Sequence, residues 1–167
     1  MIPENYDLQS LSSLEFSPTT KNIEFWLQSS GDRQKLLLDR AAQVRHNNVG
    51  NKVYFRGIIE FSNICSNDCF YCGIRRSNLQ VKRFWLTLEE VLECASFCHQ
   101  AGYGSLVLQS GEQQSAEFID FVENAVARIK DKFPDLGVTL CVGEQSRKTY
   151  KRFYDAGAHR YLLRMES

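Results

Sequence analysis

Apolar residues recur along this chain with two spacings, and the switches between them predict its elements. Residues 1–20 are polar, carry Pro3 and Pro18, and read as an irregular lead-in. Thr19 or Thr20 can cap a short helix over 22–29, with Ile23, Phe25, Trp26 and Leu27 as its apolar side. After Gly31, Asp32 opens a second helix through Leu36, Leu37, Leu38, Ala41, Ala42 and Val44. It stops near Asn47-Asn48, with Gly50 at its exit. These helices make an N-terminal helical segment, residues 1–50. From Lys52 the pattern turns β-rich, through Val53-Tyr54-Phe55 and Ile58-Ile59-Glu60-Phe61, and runs into a cysteine-bearing loop.

Helical spacing resumes at Thr87-Leu88-Glu89-Glu90, a capping box in which Thr87 and Glu90 each satisfy the other's end of the first turn. That helix places Val91, Cys94, Ala95, Cys98 and Ala101 on one face and ends at Gly102. A strand over 105–109 leads into Ser110-Gly111-Glu112. The next helix, about 116–132, repeats Phe118, Ile119, Val122, Ala125, Val126 and Ile129 at helical spacing, and Pro134 closes it. A strand over 138–142 precedes Gly143-Glu144, a helix over 146–156 ends at Gly157, and a last strand covers 159–164.

Strands alternating with helices predict an α/β fold with a parallel sheet and right-handed crossovers. In such sheets chemistry gathers beyond the carboxyl ends of the strands. The cysteine loop, Ser110-Gly111-Glu112, Gly143-Glu144 and Arg164-Met165-Glu166 all fall there. A closed β/α barrel needs roughly 200–250 residues or more, so residues 51–167 are expected to form the N-terminal half of a TIM-type barrel, about four strands. The fourth would carry an unpaired edge, and a truncated coding sequence is the expected origin.

Composition removes several functions. The 20 Lys+Arg balance the 20 Asp+Glu, at a pI near 6.8, so no global field gathers nucleic acid or an anionic membrane. Eleven Phe, seven Tyr and two Trp are too many apolar anchors for a disordered chain. No apolar run approaches the roughly 20 residues of a membrane span. The opening Met-Ile-Pro-Glu-Asn-Tyr-Asp has neither the basic nor the apolar region of a signal peptide, so a cytoplasmic location is expected.

The six cysteines are unevenly placed: Cys65, Cys69 and Cys72 fall within eight residues, whereas Cys94, Cys98 and Cys141 are scattered. In a reducing compartment they are expected as thiols or metal ligands. Three ligands from one loop are informative. A structural zinc site is closed by four, and most electron-transfer iron–sulfur clusters take four cysteines; a four-iron cube held by three keeps one iron open. Zinc would draw its fourth ligand from Cys94, Cys98 or His99. Cys94 and Cys98, however, share the apolar face of their helix, where cysteine packs as a small hydrophobe, and His99 reads as a surface or helix-end residue. No second C-x-x-C pair exists. A redox pair Cys69–Cys72 leaves Cys65 unexplained.

The C-x3-C-x-aromatic-C run after the first barrel strand resembles the radical S-adenosylmethionine (SAM) enzymes. Arg56-Gly57-Ile58-Ile59-Glu60-Phe61-Ser62-Asn63 before the loop, and Cys72-Gly73-Ile74-Arg75-Arg76 after it, resemble the HydE family of iron–iron hydrogenase maturases. So do Leu108-Gln109-Ser110-Gly111-Glu112, Gly143-Glu144 and residues 160–167; biotin synthase and methylornithine synthase are similar but more distant. The resemblance runs from about Asp32 to the last residue and corresponds to the N-terminal half of the family. It implies that Cys65, Cys69 and Cys72 hold a 4Fe-4S cluster whose open iron chelates SAM. One reducing electron then splits the sulfonium bond to give a 5'-deoxyadenosyl radical. Tyr71 would lie against the adenine, the backbone of Ser110-Gly111-Glu112 would meet the methionine amino group, and Glu144, Arg164 and Glu166 would hold the ribose and carboxylate.

The resemblance also implies a ferredoxin or flavodoxin reductant, a small cysteine-derived or iron-bearing substrate, a place in hydrogenase active-site maturation beside other maturases, and no nucleic-acid or membrane partner. A biotin-synthase-like or methylornithine-synthase-like enzyme, a non-catalytic metal-binding module and an inactive fragment are the alternatives. Taken singly, Glu112 and Glu144 also suit helix N-termini as acids favoured by the dipole, and Arg164 and Glu166 suit an ordinary ion pair. Cys141 stands where the resemblance leads one to expect a small polar residue; a buried hydrophobe is the expected role, a pocket thiol the other.

Overall fold

The computed structural model describes residues 19–164, and hydroxyl side chains start four of its five helices. Helix α1 is Thr20–Leu27, α2 Gly31–Val49, α3 Leu88–Gln100, α4 Ala116–Lys132 and α5 Arg147–Asp155. Thr19, Thr87, Ser115 and Ser146 accept from the backbone N–H groups of Asn22, Glu90, Phe118 and Thr149, satisfying donors that a first turn leaves open. At Thr87 the capping box is complete: its own N–H donates to Glu90 Oε2 at 2.7 Å. Gly102, at φ +73°, supplies the left-handed exit of α3.

The chain divides into two compact units, Met1–Val53 and Tyr54–Ser167. In the first, α1 and α2 match the predicted pair of helices, and no residue of α2 is buried. The predicted lead-in lies almost wholly outside the described residues.

The second unit is an α/β layer. Strands β1 (Gly57–Ser62), β2 (Ser105–Ser110), β3 (Gly137–Cys141) and β4 (Arg160–Tyr161) form one sheet in that order, every pair parallel. This is the arc of four strands expected of a partial β/α barrel. Side chains alternate across a strand, so Ile59 and Phe61 are buried while Ile58 and Glu60 are exposed. On the buried face Leu106, Leu108, Val138 and Leu140 pack with Val91 and Ala95 of α3, Phe118, Val122, Val126 and Ile129 of α4, and Phe153 of α5. Each Val, Leu, Ile or Phe side chain among them contributes about 1.5–3 kcal/mol when fully buried.

Three expectations change. Residues 53–55 are not a strand: the ladder of β1 with β2 begins opposite Gly57, and among the described residues no strand extends to meet them. The last strand shrinks from 159–164 to Arg160–Tyr161, because among the described residues only β3 pairs with it. Cys94 is exposed, and only Cys98 of the two is buried. The buried stripe of α3 is Val91, Ala95 and Cys98, and Cys94 lies at its margin on a 3.6-residue turn.

The free side of β1 is covered at its carboxyl end. Ser62 bridges Trp85 in antiparallel sense, and the Leu86 N–H donates to the Phe61 carbonyl at 2.7 Å. A bulge between Glu60 and Ser62 brings Ser62 opposite Ser110, re-aiming the chain where the cysteine loop begins.

Candidate active site at the strand ends

The cysteine loop is tied to itself by its own backbone. The Cys72 N–H donates to the Cys69 carbonyl at 2.9 Å, Arg75 N–H to the Cys72 carbonyl at 3.3 Å, and Arg76 N–H to the Asn67 carbonyl at 2.9 Å. Asp68 accepts from the Ser77 N–H at 2.9 Å, and the Ser77 hydroxyl and N–H together hold its carboxyl below the ordinary carboxylate range. Cys65, Cys69 and Cys72 are all half-buried, whereas Phe70 between them is 94% exposed.

The turn after β2 packs directly on this loop. Gly111 N–H donates to the Ser62 carbonyl at 3.3 Å, and the Ser66 N–H donates to the Glu112 carbonyl at 2.8 Å. Glu112 reaches across to the next turn, where its Oε2 accepts from the Glu144 N–H at 2.7 Å. Gly143, at φ +77°, leaves room for it: a Cβ there would lie 2.3 Å from Glu112 Cγ. Tyr161 of β4 donates its hydroxyl to the Gly143 carbonyl at 2.6 Å, and burial pushes its phenol far above the ordinary range. The ends of all four strands are thus joined by hydrogen bonds.

They enclose a cavity of about 140 Å³ lined by Cys65, Cys69, Tyr71, Cys72, Ser110, Gly111, Glu112 and Arg164. Cys141 lines it too, 6% exposed, so the two readings of this residue coincide in a buried pocket thiol. Burial raises its pKa, and Arg164 opposes that shift. Of the predicted site residues, Glu144 is the one described residue that does not line the cavity; its backbone serves Glu112 instead. Glu166 lies outside the described residues, as does any pairing with Arg164. Neither Glu112 nor Glu144 sits in a helix's first turn, since the caps of α4 and α5 are Ser115 and Ser146.

Sequence reasoning singled out neither Asn67 nor Leu162, which also line the cavity, nor a role for Gln109. Gln109 Nε2 donates to Glu60 Oε1 at 3.0 Å across β1 and β2. A polar residue ending the apolar run 106–108 was the available signal for it. A larger cavity, about 830 Å³, opens at the opposite, amino-terminal ends of the strands, lined by Tyr54, Phe55, Arg56 and Arg160 among others. It holds none of the cysteines.

Residues 59–167 match the Radical SAM superfamily. The chain belongs to that superfamily. It is 40% identical over 159 residues to the [FeFe] hydrogenase maturase subunit HydE of Thermotoga maritima, covering 94% of this chain and 45% of the relative. To biotin synthase of Staphylococcus aureus it is 32% identical over 128 residues, 75% of this chain and 38% of that one. Among solved structures, methylornithine synthase (PylB) superimposes with a TM-score of 0.77 at 23% identity, over 93% of this chain and 45% of that one. The maturase HydG gives 0.72 at 24% identity, over 86% and 33%. These structural likenesses establish the fold, a partial barrel of the radical SAM type. This radical SAM chain spans less than half the length of the relatives it matches.

The loop's three donors are thiols, whose chemistry suits an iron–sulfur cluster. Among the described residues, no three His, Cys, Asp or Glu side chains converge closely enough to hold one metal ion. Three thiols instead surround a shared cavity, and thiolates are the soft ligands that iron–sulfur clusters select. Among the described residues no helix is long and apolar enough to cross a membrane.

Proposed function

We propose that this chain carries the cluster- and SAM-binding part of a radical SAM enzyme acting in hydrogenase active-site maturation. The observation that carries the reading is that the three loop cysteines and the Ser110-Gly111-Glu112 turn line one small cavity at the strand ends. Cys65, Cys69 and Cys72 would hold a 4Fe-4S cluster, leaving one iron without a protein ligand. When bound, that cluster supplies the single electron that splits the SAM sulfonium bond to methionine and a 5'-deoxyadenosyl radical.

The chain's own residues bind, orient and exclude water. The backbone of the Ser110-Gly111-Glu112 turn, which lines the cavity, would meet the methionine amino group of SAM, and Tyr71 would offer a ring for the adenine. Arg164, which lines the cavity, carries the positive charge suited to a carboxylate, and Glu144 and Glu166 are the other polar residues that would serve the ribose and carboxylate. Glu112 acts on the shape of the site, because its carboxylate is engaged by the Glu144 N–H; Glu144 then contributes through that turn. By holding SAM beside the three thiols, these residues would supply the proximity that the cluster's chemistry needs.

As part of a whole enzyme, the site would use a ferredoxin or flavodoxin reductant and a small cysteine-derived or iron-bearing substrate, with other maturases as functional partners, in the cytoplasm. The 40% identity to HydE favours hydrogenase maturation over biotin-synthase-like chemistry. The test is anaerobic reconstitution with iron and sulfide, then electron paramagnetic resonance of the reduced protein with and without SAM. A cubane signal that changes shape with SAM is expected. A signal indifferent to SAM, or bound zinc and no cluster, would overturn the proposal.

A further inference from the structure

One side chain holds both ends of the cysteine loop. Arg83 Nη1 donates to the carbonyl of Asn63 at 2.6 Å and to that of Ile74 at 2.8 Å. Its Nη2 donates to the carbonyls of Arg75 at 2.7 Å and Asn78 at 3.3 Å. Asn63 lies two residues before Cys65, and Ile74 two residues after Cys72. The chain therefore leaves the guanidinium, presents its three thiols and returns to the same guanidinium.

The strap bearing Arg83 is itself fixed to the entry of the loop. Asn63 Oδ1 accepts from the Phe84 N–H at 2.9 Å, Asn63 Nδ2 donates to the Lys82 carbonyl at 2.9 Å, and Ser62 bridges Trp85. Four backbone carbonyls approaching from several directions need a planar fork with donors on separate nitrogens. A lysine ammonium, a single point on a flexible stem, cannot serve both ends at once. The bonds are charge-assisted and partly buried, the stronger kind.

We propose that Arg83 is the positioning residue that sets the cysteine loop in its ligating shape before metal arrives. This rests on the proposed cluster site, and Arg83 itself does not line the cavity. It lowers the ordering cost of ligation, because a loop already closed at 63 and 74 loses less freedom when three thiolates are brought together.

The test compares the full chain with R83K and R83Q. Hydrogen exchange of the metal-free protein reads the loop amides of Cys72, Arg75 and Arg76 against those of α4. After reconstitution, a ferrous chelator reads how fast iron is lost. Loop exchange about tenfold faster or more, with α4 protection unchanged, is expected in both variants. Iron loss should accelerate by a similar factor, with Lys milder than Gln. Unchanged loop exchange, or loop and α4 loosening together, overturns the proposal, as does unchanged iron retention in a folded variant. If R83Q does not fold, R83K carries the comparison. A wild-type chain that takes up no iron would overturn the proposed function alone, because metal-free exchange still decides whether Arg83 sets the loop.

Discussion

Gly111 and Cys65 meet so closely that no side chain fits between them: a Cβ on Gly111 would lie 2.6 Å from Cys65 Cβ and 2.4 Å from the Ile64 carbonyl oxygen. The second of these is backbone, which cannot swing aside, so G111A must push the turn after β2 away from the cysteine loop. Overpacking of this kind costs about 1–3 kcal/mol, a fall in melting temperature of roughly 2–4 °C per kcal/mol at this chain length. The displacement matters more for function. G111A is expected to remain folded yet show no change in its cluster spectrum on adding SAM. G104A, where a Cβ meets nothing within 4 Å, should behave as wild type in both measurements. A G111A spectrum that still responds to SAM would show that this contact does not shape the site.

Glu112 serves the turn at Gly143-Glu144 through one carboxylate oxygen, so its substitutions should separate by acceptor. E112Q keeps an oxygen for the Glu144 N–H and should lose little. E112A removes it and should cost about 1 kcal/mol, with faster amide exchange confined to residues 143–145. Equal exchange in the two variants would argue that the bond does not hold the turn.

The strand-helix order, the capping residues and the cysteine loop were legible because each is written in adjacent residues. Thr87 and Glu90 are three apart, and Cys65, Cys69 and Cys72 share one loop. Gathering the candidate site at the strand ends followed from topology alone. The misses have the opposite character. Arg83 is one of several arginines after the loop, and nothing nearby marks it as the partner of carbonyls at 63, 74, 75 and 78. Cys94 falls on the apolar face with Val91, Ala95, Cys98 and Ala101 by spacing, yet packing takes only the narrow stripe through Val91, Ala95 and Cys98. Residues 53–55 have strand composition, but a strand needs a partner, and β2 begins too late to supply one. Glu144 was placed by motif, whereas its contact with Glu112 runs through its backbone, which no side-chain pattern can reveal.

Gly57 and Cys98 form a second close approach, on the buried face of the sheet. A Cβ on Gly57 would lie 2.3 Å from the Cys98 sulfur and an ordinary 3.5 Å from its Cβ. G57A alone should therefore destabilise by about 1–3 kcal/mol, and C98A alone should cost a smaller amount for the space it opens. Combined, the new methyl occupies the volume vacated by sulfur. The double variant should recover most of the loss, giving a coupling energy of about 1 kcal/mol or more in a double-mutant cycle. Additive losses in urea unfolding would contradict this packing.

Alkaline pH should weaken the metal-free chain, and Cys98 should account for part of the slope. Burial raises its pKa above the ordinary 9.0, with Cys94 as a smaller cause in the same direction. Below pH 9 the thiol is protonated in folded and unfolded chains alike, so its contribution is fully present. Above pH 9 the unfolded thiol ionises while the buried one keeps its proton, and stability declines until the raised folded pKa is passed. Tyr161, also raised by burial from 10.0, adds a second decline that begins about one pH unit higher. Urea midpoints measured at pH 8, 9, 10 and 10.5 should fall for the wild type and less steeply for C98A, the remaining slope coming from Cys141, whose thiol burial also raises, and from Tyr161. Y161F, which also gives up the bond to the Gly143 carbonyl, should start lower by about 1 kcal/mol but flatten above pH 10. Parallel slopes for wild type, C98A and Y161F would mean that neither buried group governs the alkaline limb.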